Sequence, residues 1–450
     1  MMKDRTISDF FKTDCPAYAA YDNIRKIGSY IDGFKNSSRK LYYSGMKYCD
    51  KEYIKTETFS NYSAAYTNYL HGSNNLNIVC VSIVQGFVGK NNYPLYIGNS
   101  GGWGCRINPR ASAPRYTRLK FSEYAHKFFN DDDFAVVGNQ IFEGDKIEPK
   151  FFVPIIPMIL INGSDGLSTG FAQKILPRNP KDIIRYIENR LSGKENRKVL
   201  MPWFKGFKGD IRYNSDGKLE IVGKVENVNT YTYRITEIPI YVEYDAYVET
   251  LDKLVEDKVI VDYVDKCDPK TDEILFEIKT TREFSKEHRD DNEYLLKTFK
   301  LIKPFTENFN CIDENNRVRE FKSAEEIIDA FISIRLEYYQ KRKDYLLQKH
   351  LDVLKKTYSK LLFCAGVIKG EIVVNNKPKS KIVEQLEKIE KICKVDDSYD
   401  YILNMPIYSL SKEMLESMKT KISELKELIK TIKEKTPEDF WRDDLKILKF

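Results

Sequence analysis

Along the first ninety residues, apolar positions recur in short helical clusters separated by polar turns. Ala17 to Lys26 is one predicted helix, and Asp32-Gly33 marks a turn. Asn36 or Ser37 is placed to cap a helix carrying Arg39, Lys40, Leu41 and Met46. Ser60 is placed to cap another helix ending near Leu70, just before His71-Gly72. Ser73 opens a more apolar helix through Ile78, Val81, Ile83 and Val84. A turn followed by a helix with basic residues in its first turn is how helix-turn-helix modules address DNA. An ordinary α-hairpin with a solvated basic end has the same pattern. Residues 92–118 read as a turn-rich β-ribbon of the kind that forms a wing.

The segment Val153-Pro-Ile-Ile-Pro-Met-Ile-Leu-Ile-Asn162 is densely apolar and reads as a buried strand, with the glycines at 163, 166 and 170 as a tight loop. Asp182 to Ser192 is predicted helical. Strand patterns at Gly209–Tyr213 and Leu219–Val222 flank Asp216-Gly217, a hairpin signal, and Thr230–Ile238 continues them. An α+β domain is therefore expected over roughly 150–320. From Ala324 the pattern changes to long charged helices. Ile332, Leu336, Tyr339, Leu346, Val353 and Leu361 track a loose heptad. Leu415, Met418, Ile422, Leu425, Ile429 and Ile432 step 3, 4, 3, 4, 3, a coiled-coil seam. With about fifty residues between them, two such helices most simply pair antiparallel within one chain, with the intervening segment as a small domain at their tip. Thr436-Pro437 is the cap and first position of a last helix with Phe440, Trp441, Leu445 and Leu448 on one face.

Composition narrows the classes. A chain of 450 residues with 42% hydrophobic content suggests two to four domains with a sizeable core. Net charge is +6, a mild excess compatible with a local basic surface. The eight cysteines are scattered, no C-x-x-C pair occurs and only four histidines are present, so neither a zinc site nor a disulfide framework is supported. A reduced, cytoplasmic, soluble protein is expected. No apolar run approaches the ~20 residues of a membrane span, and Met-Met-Lys-Asp-Arg at the start lacks a signal core.

Nucleotide machinery is missing. Gly86-Phe-Val-Gly89-Lys90-Asn91 lacks the glycine spacing and the Ser/Thr of a phosphate loop, and the glycines at 163, 166 and 170 lack the dinucleotide pattern. No G-x-S-x-G is present. Asp131-Asp132-Asp133 has the residue type for Mg²⁺ but no strand to fix it, and a solvated loop is expected there. The richest chemistry lies at Arg115-Tyr116. A phenol with a pKa near ~10 is a poor nucleophile at neutral pH. A neighbouring guanidinium favours the phenolate and can neutralise charge building on a phosphate under attack. Arg-Tyr also occurs at Arg185-Tyr186 and Arg212-Tyr213, each inside a predicted helix or strand. Tyr116 differs in its surroundings: Gly101-Gly102-Trp103-Gly104, Arg106, Arg110, and Pro114 holding the approach extended.

Several strings together resemble one family. They are Asp32-Gly-Phe-Lys35, Tyr69-Leu-His71-Gly72, Phe87-Val-Gly-Lys-Asn-Asn92, Gly101-Gly-Trp-Gly-Cys-Arg106, Ala113-Pro-Arg-Tyr116, Pro154-Ile-Ile-Pro-Met-Ile-Leu-Ile-Asn-Gly163 with Gly166-Leu-Ser-Thr-Gly170, and Phe204-Lys-Gly-Phe-Lys-Gly209. Ile235-Thr-Glu-Ile-Pro239, Gly370-Glu-Ile-Val-Val374 and Leu403-Asn-Met405-Pro406 extend the series over nearly the whole chain. In this order they resemble the breakage-reunion core of type IIA DNA topoisomerases. Length and content are most similar to the T-even phage form of that core, which lacks the ATPase and the acidic metal-binding (Toprim) domain, and a viral source is expected.

The resemblance implies an α+β multidomain fold. Its parts would be a winged-helix (helix-turn-helix) DNA-cleavage domain over 1–150, an α+β tower domain over 151–322, and a long antiparallel coiled coil with a dimer gate over 323–450, its tip near 365–409. It implies that Tyr116 attacks a DNA phosphodiester and becomes joined to the 5′ phosphate, with Arg115 and Arg25 as catalytic arginines and His71 bonding the phosphate or the nucleophile's neighbourhood. Lys35, Arg39 and Lys40 would bind backbone phosphates. Leu167 would be an apolar wedge that unstacks a base step; a core leucine is its other reading. Mg²⁺ and ATP would both be bound by a partner ATPase/Toprim subunit, with a second copy of this chain completing a homodimer on double-stranded DNA. Cleavage by this polypeptide alone is then predicted to be weak or absent. There are departures: Asn36-Ser-Ser-Arg-Lys40 replaces the family's P-x-x-R-R, Tyr69 replaces a histidine, and the 106–116 segment lacks an acidic residue of the eukaryotic relatives. Two other readings stand beside this one: a non-enzymatic helix-turn-helix and coiled-coil DNA-binding architectural protein, and a tyrosine recombinase or nicking transferase, which needs arginines and histidines around the tyrosine that are not found.

Overall fold

Thr6 opens the described chain as a helix cap: its hydroxyl accepts from the Asp9 amide while the Asp9 carboxylate reaches back to the Thr6 amide, starting α1 (Ile7–Lys12). The computed structural model describes residues 6–450, so the expectation that the first five residues lack a signal core lies outside it. Two compact units form. One comprises residues 6–335 with Asp444–Phe450, the other Leu336–Asp443.

In the first unit, α2 (Asp14–Lys26) and α3 (Asn36–Tyr48) are joined by the Asp32-Gly33 turn. Next come β1 (Ile54–Lys55), α4 (Thr56–Tyr66) and α5 (Ser73–Val84), then β2 (Tyr96–Asn99) and β3 (Arg118–Phe121). The three strands form an antiparallel sheet in the order β1-β3-β2, with Leu119 opposite both Ile54 and Gly98. Three expectations need correction here. Neither Asn36 nor Ser37 caps α3: Lys35 stands at the cap position and no side chain bonds the first turn. Ser60 lies in the middle of α4, buried, its hydroxyl 3.5 Å from the Cys80 sulfur. The ribbon expected over 92–118 is a strand at each end of a long irregular loop.

Helices α6 (Glu123–Phe128) and α7 (Asp131–Val137) and the small pair β4 (Ile141–Phe142) and β5 (Asp145–Lys146) follow. The aspartate triplet is the first turn of α7, not a solvated loop. Asn130 caps it, and Asp133 is buried 2.7 Å from the Arg335 guanidinium, with Asp444 of the same unit 3.7 Å away. Carboxylates in a first helical turn also suit the positive end of the helix dipole.

The apolar run at 151–162 is buried as expected but is not a strand. Pro154 and Pro157 carry no amide proton for a ladder, and the segment runs as loop into the single turn α8 (Met158–Asn162). The glycine-rich stretch forms a hairpin of β6 (Ser164–Ser168) and β7 (Phe171–Ile175), with Leu167 opposite Ala172. After α9 (Pro180–Leu191) come β8 (Asp210–Tyr213) and β9 (Leu219–Val222), paired as their turn signal requires. A four-stranded antiparallel sheet is built from β10 (Lys224–Asn229), β11 (Thr232–Glu237), β12 (Asp262–Asp265) and β13 (Phe276–Lys279), in the order β10-β11-β13-β12. One face of it is covered by α10 (Tyr244–Glu256), whose Tyr247, Leu251 and Leu254 share a core with Tyr233, Ile235, Phe276 and Ile278. The short helices α11 (Arg282–His288) and α12 (Asn292–Thr298) and strands β14 (Ile302–Phe305), β15 (Phe309–Ile312) and β16 (Val318–Phe321) complete this part.

The second unit takes its helices from α13 (Ala324–Lys369), α14 (Lys379–Glu387), α15 (Asp400–Leu403), α16 (Lys412–Glu434) and α17 (Pro437–Ile447). The expected seam on α16 is buried at Met418, Ile422, Leu425, Ile429 and Ile432. Within the unit α13 and α16 run antiparallel: Lys343 Nζ donates to the carbonyls of Lys433 and Lys435, whereas Leu361 shares a cluster with Leu415 and Met418. Trp441 is fully buried, its ring centroid 5.6 Å from that of Tyr339.

Candidate active site

Tyr116 ends a braced loop. In the glycine-rich stretch the Gly102 amide donates to Ser112 Oγ at 3.0 Å, and the Ser112 amide returns a bond to the Gly102 carbonyl at 2.8 Å. Gln85 at the end of α5 ties two more points, donating to the carbonyls of Trp103 and Pro109 at 2.8 Å each. Gly101 has φ +66, and a Cβ there would lie 3.1 Å from the Tyr116 carbonyl, so the close pass requires glycine. Pro114, expected to hold the approach extended, instead starts a tight turn closed by the Tyr116 amide on the Ala113 carbonyl at 2.9 Å. Thr117 anchors the turn to the start of α4 through its hydroxyl, 2.8 Å from that of Thr56. The backbone is thus fixed while the Tyr116 ring is 65% exposed. Arg115 is exposed too, its guanidinium 5.8 Å from the Tyr116 ring centroid. Arg110 is exposed on the same loop, but Arg106 is not available to the phenol. It binds the Ile238 carbonyl and ion-pairs with the buried Glu237.

A second cluster gathers His71 and Arg25. Gly72, at φ +76, turns the chain into α5 and leaves His71 at its mouth, where Asn75 Nδ2 bonds the His71 carbonyl. Arg25 lies 5.4 Å over the ring of Tyr21, and Tyr21 Oη is 2.5 Å from His71 Nε2. Burial first, and the Arg25 charge second, hold the His71 pKa below its ordinary value, so the ring is neutral at pH 7. Among the described residues no hydrogen bond, ion pair or ring contact joins this cluster to Tyr116.

The other face of α2 holds the hairpin that carries Leu167. Asp22 accepts from both the amide and the hydroxyl of Thr169 at 3.0 Å, and Ser168 donates to Asn23 at 2.7 Å. Lys26 beside Asp22 holds that carboxyl below the usual range. A Cβ on Gly166 would lie 2.2 Å from the Lys26 carbonyl, so the strand can pack on the helix end only without a side chain. Leu167 itself is 75% exposed, which removes its reading as a core leucine. Asp22 and Asn23 were missed by sequence reasoning; nothing local marks a polar pair as the seat of a hairpin 145 residues on.

The three basic residues at α3 are not alike. Lys35 lines a cleft of about 540 Å³, with Ser37 and Ser38, Lys90 and Lys174 on its walls, and its ammonium donates to the Asp165 carbonyl. Arg39 and Lys40 are a correction. Arg39 is buried and binds both carboxylate oxygens of Asp32, at 2.7 and 3.0 Å. Lys40 is buried on Glu148 at 2.9 Å and on the Thr67 carbonyl at 2.7 Å. Their charge is neutralised inside the fold by Asp32 and by Glu148. As to metal, among the described residues no three His, Cys, Asp or Glu side chains stand together as a ligand set.

The family model for DNA gyrase and topoisomerase IV, in their A-type subunits, matches residues 25–446. The chain belongs to that family. It is 30% identical to the mitochondrial DNA topoisomerase 2 of Dictyostelium discoideum, over 100% of this chain and 35% of that protein. It is likewise 31% identical to a Plasmodium falciparum DNA topoisomerase 2, over 98% and 34%, and 30% to that of Acanthamoeba polyphaga mimivirus, over 97% and 40%. The chain therefore spans little more than a third of the length of these relatives. The solved DNA-binding, cleavage and re-ligation domain of Plasmodium falciparum topoisomerase II superposes with a TM-score of 0.87 at 30% identity, over 98% of this chain and 63% of that one. A breakage-reunion core with mixed helix and sheet is thereby the fold of this chain.

Proposed function

We propose that this chain is the DNA-cleavage and religation subunit of an ATP-dependent type II topoisomerase, with Tyr116 as its nucleophile. The phenolic oxygen attacks a backbone phosphorus, the P–O3′ bond breaks, and the 3′ hydroxyl leaves with a proton while the 5′ phosphate stays on Tyr116. Reversal reseals the strand, because one phosphate ester replaces another of similar free energy. Such displacement needs positioning and charge stabilisation above all. The observation that carries the reading is an exposed phenol on an immobilised backbone, with an exposed guanidinium beside it. Arg25 and His71 are assigned to the scissile phosphate, and Lys35, at the wall of the cleft, to the duplex backbone.

The finer architecture belongs to the same reading. Helices α3 to α5 with the β1-β3-β2 sheet support a winged-helix cleavage domain up to residue 150, the two larger sheets a tower over 151–322, and the α13–α16 pair a coiled coil over 323–450. Ile407 and Tyr408, exposed side by side at 87% and 66%, support a gate at its tip formed with a second copy of the chain. Mg²⁺ and ATP are assigned to a separate ATPase/Toprim partner. The eight free cysteines support a reducing, cytoplasmic setting.

The deciding experiment mixes the chain, a type IIA ATPase/Toprim subunit, Mg²⁺ and supercoiled DNA, then stops the reaction with detergent. Linear DNA with protein on its 5′ ends is expected with the partner and little without it. Protein-bound DNA that never yields linked ends would favour the architectural protein, and equal adduct without the partner a nicking transferase. Leu167→Ala should leave the fold intact, since the side chain is solvated. It should lower DNA bending, read by end-to-end energy transfer, by about tenfold in the bent population, the scale of a lost apolar wedge. Unchanged bending would remove the wedge role.

A further inference from the structure

Tyr21 belongs to none of the motifs above, yet it holds the histidine assigned to the phosphate. Its hydroxyl oxygen is 2.5 Å from His71 Nε2, with ring centroids 6.0 Å apart, and fifty residues of chain separate the two. Arg25, one helical turn along α2, lies over the Tyr21 ring, and Tyr69 stands edge-on to the imidazole at 5.5 Å. Those are the titratable and charged groups facing His71: Tyr21 and Arg25 from α2, and Tyr69 from the turn before α5. Among the described residues no carboxylate is paired with it.

A neutral imidazole has one donor and one acceptor nitrogen, and the partner of one nitrogen decides the proton on the other. A phenol is the stronger donor of this pair and the unprotonated ring nitrogen the stronger acceptor. We propose that Tyr21 is a positioning residue: its hydroxyl donates to His71 Nε2, fixing the ring as the Nδ1–H tautomer and leaving Nδ1–H as the donor offered to the phosphate. The inference rests on the reading of His71 as a phosphate contact, but its first test does not. The lowered pKa of His71 fits the arrangement, since the ring must be neutral for the tautomer to matter.

Tyr21→Phe removes only the hydroxyl; the ring is 45% exposed and keeps its place under Arg25. Nitrogen-15 NMR of histidine-labelled free chain, with four histidines and His71 assigned through His71→Gln, reads the tautomer directly. Wild type should show Nε2 unprotonated at neutral pH, whereas Tyr21→Phe should revert mainly to the Nε2–H form that free imidazole prefers, with the His71 pKa raised. The same tautomer in both proteins would overturn the proposal whatever the DNA assay shows. The second readout is protein-linked DNA formed with the partner subunit between about pH 5.5 and 8.5. Above the His71 pKa the variant's Nδ1–H population, and with it the adduct, should fall roughly fivefold. Below that pKa both nitrogens carry protons and the deficit should vanish. A deficit of constant size across the range would mark a merely structural role and reject the assignment. Absence of adduct from both proteins would fail the cleavage reading and leave the NMR result to decide this one.

Discussion

Tyr116→Phe should abolish the covalent protein–DNA adduct while DNA affinity stays within about twofold of wild type. If Tyr116 is the nucleophile proposed above, the loss should be complete to the detection limit, because no phenylalanine atom can replace an attacking oxygen that itself forms the bond. The structure makes the variant a clean probe. The turn is closed by the Tyr116 amide and not its side chain, and the Thr117–Thr56 contact does not involve the ring. The hydroxyl lies on an exposed side chain, so its removal leaves no buried partner unsatisfied. Circular dichroism and the unfolding midpoint should therefore match wild type. Detergent-stopped reactions with partner and Mg²⁺, followed by protease treatment and electrophoresis, give the measurement. Linked ends surviving in the variant would transfer the nucleophile to another residue; Arg185-Tyr186 and Arg212-Tyr213 are poor heirs, because Tyr186 is buried in α9 and Arg212 is ion-paired to Glu220 and Glu293.

How far the chain could be read depended on the range of the interaction. Local signals did well. The 3–4 spacing on α16 marks five buried side chains, Thr436-Pro437 starts a helix where the cap chemistry requires, and Asp216-Gly217 closes the β8–β9 hairpin. The glycines at 101, 102 and 104 marked the loop before Tyr116, but Pro114, read as holding the approach extended, starts a tight turn there. Failures came where partners are far apart in sequence. Lys40 reads as a solvated cation until Glu148, 108 residues on, is brought beneath it. His71 shows no sign of Tyr21, nor Asp22 of Thr169. The strand expected at 153–162 failed for a local reason that was legible: two prolines within one apolar run forbid a ladder, and burial alone does not distinguish strand from loop.

The burial of Arg39 has a measurable consequence, because a surface cation and a buried one respond oppositely to removal. Asp32 is fully buried and its two oxygens accept from Arg39 Nε and Nη2 and from the amides of Phe34 and Phe152. The arginine supplies the only full positive charge in that set. Arg39→Ala leaves a buried carboxylate with backbone donors alone and should cost about 3–5 kcal/mol, the usual penalty for breaking a buried pair from one side. Denaturant unfolding, followed through the transition of the unit that holds residues 6–335, should show the loss. A second change separates charge from packing: Asp32→Asn in the Arg39→Ala background removes the uncompensated charge but keeps an acceptor for one of the amides, so part of the stability should return. DNA binding gives the opposing readout. If Arg39 contacted a phosphate, its removal would flatten the slope of log affinity against log salt by about 0.9 and leave stability untouched. Burial predicts the reverse for Arg39, with an unchanged salt slope. Lys35→Ala is the control that should flatten the slope, since its ammonium lines the open cleft where Arg39 does not reach.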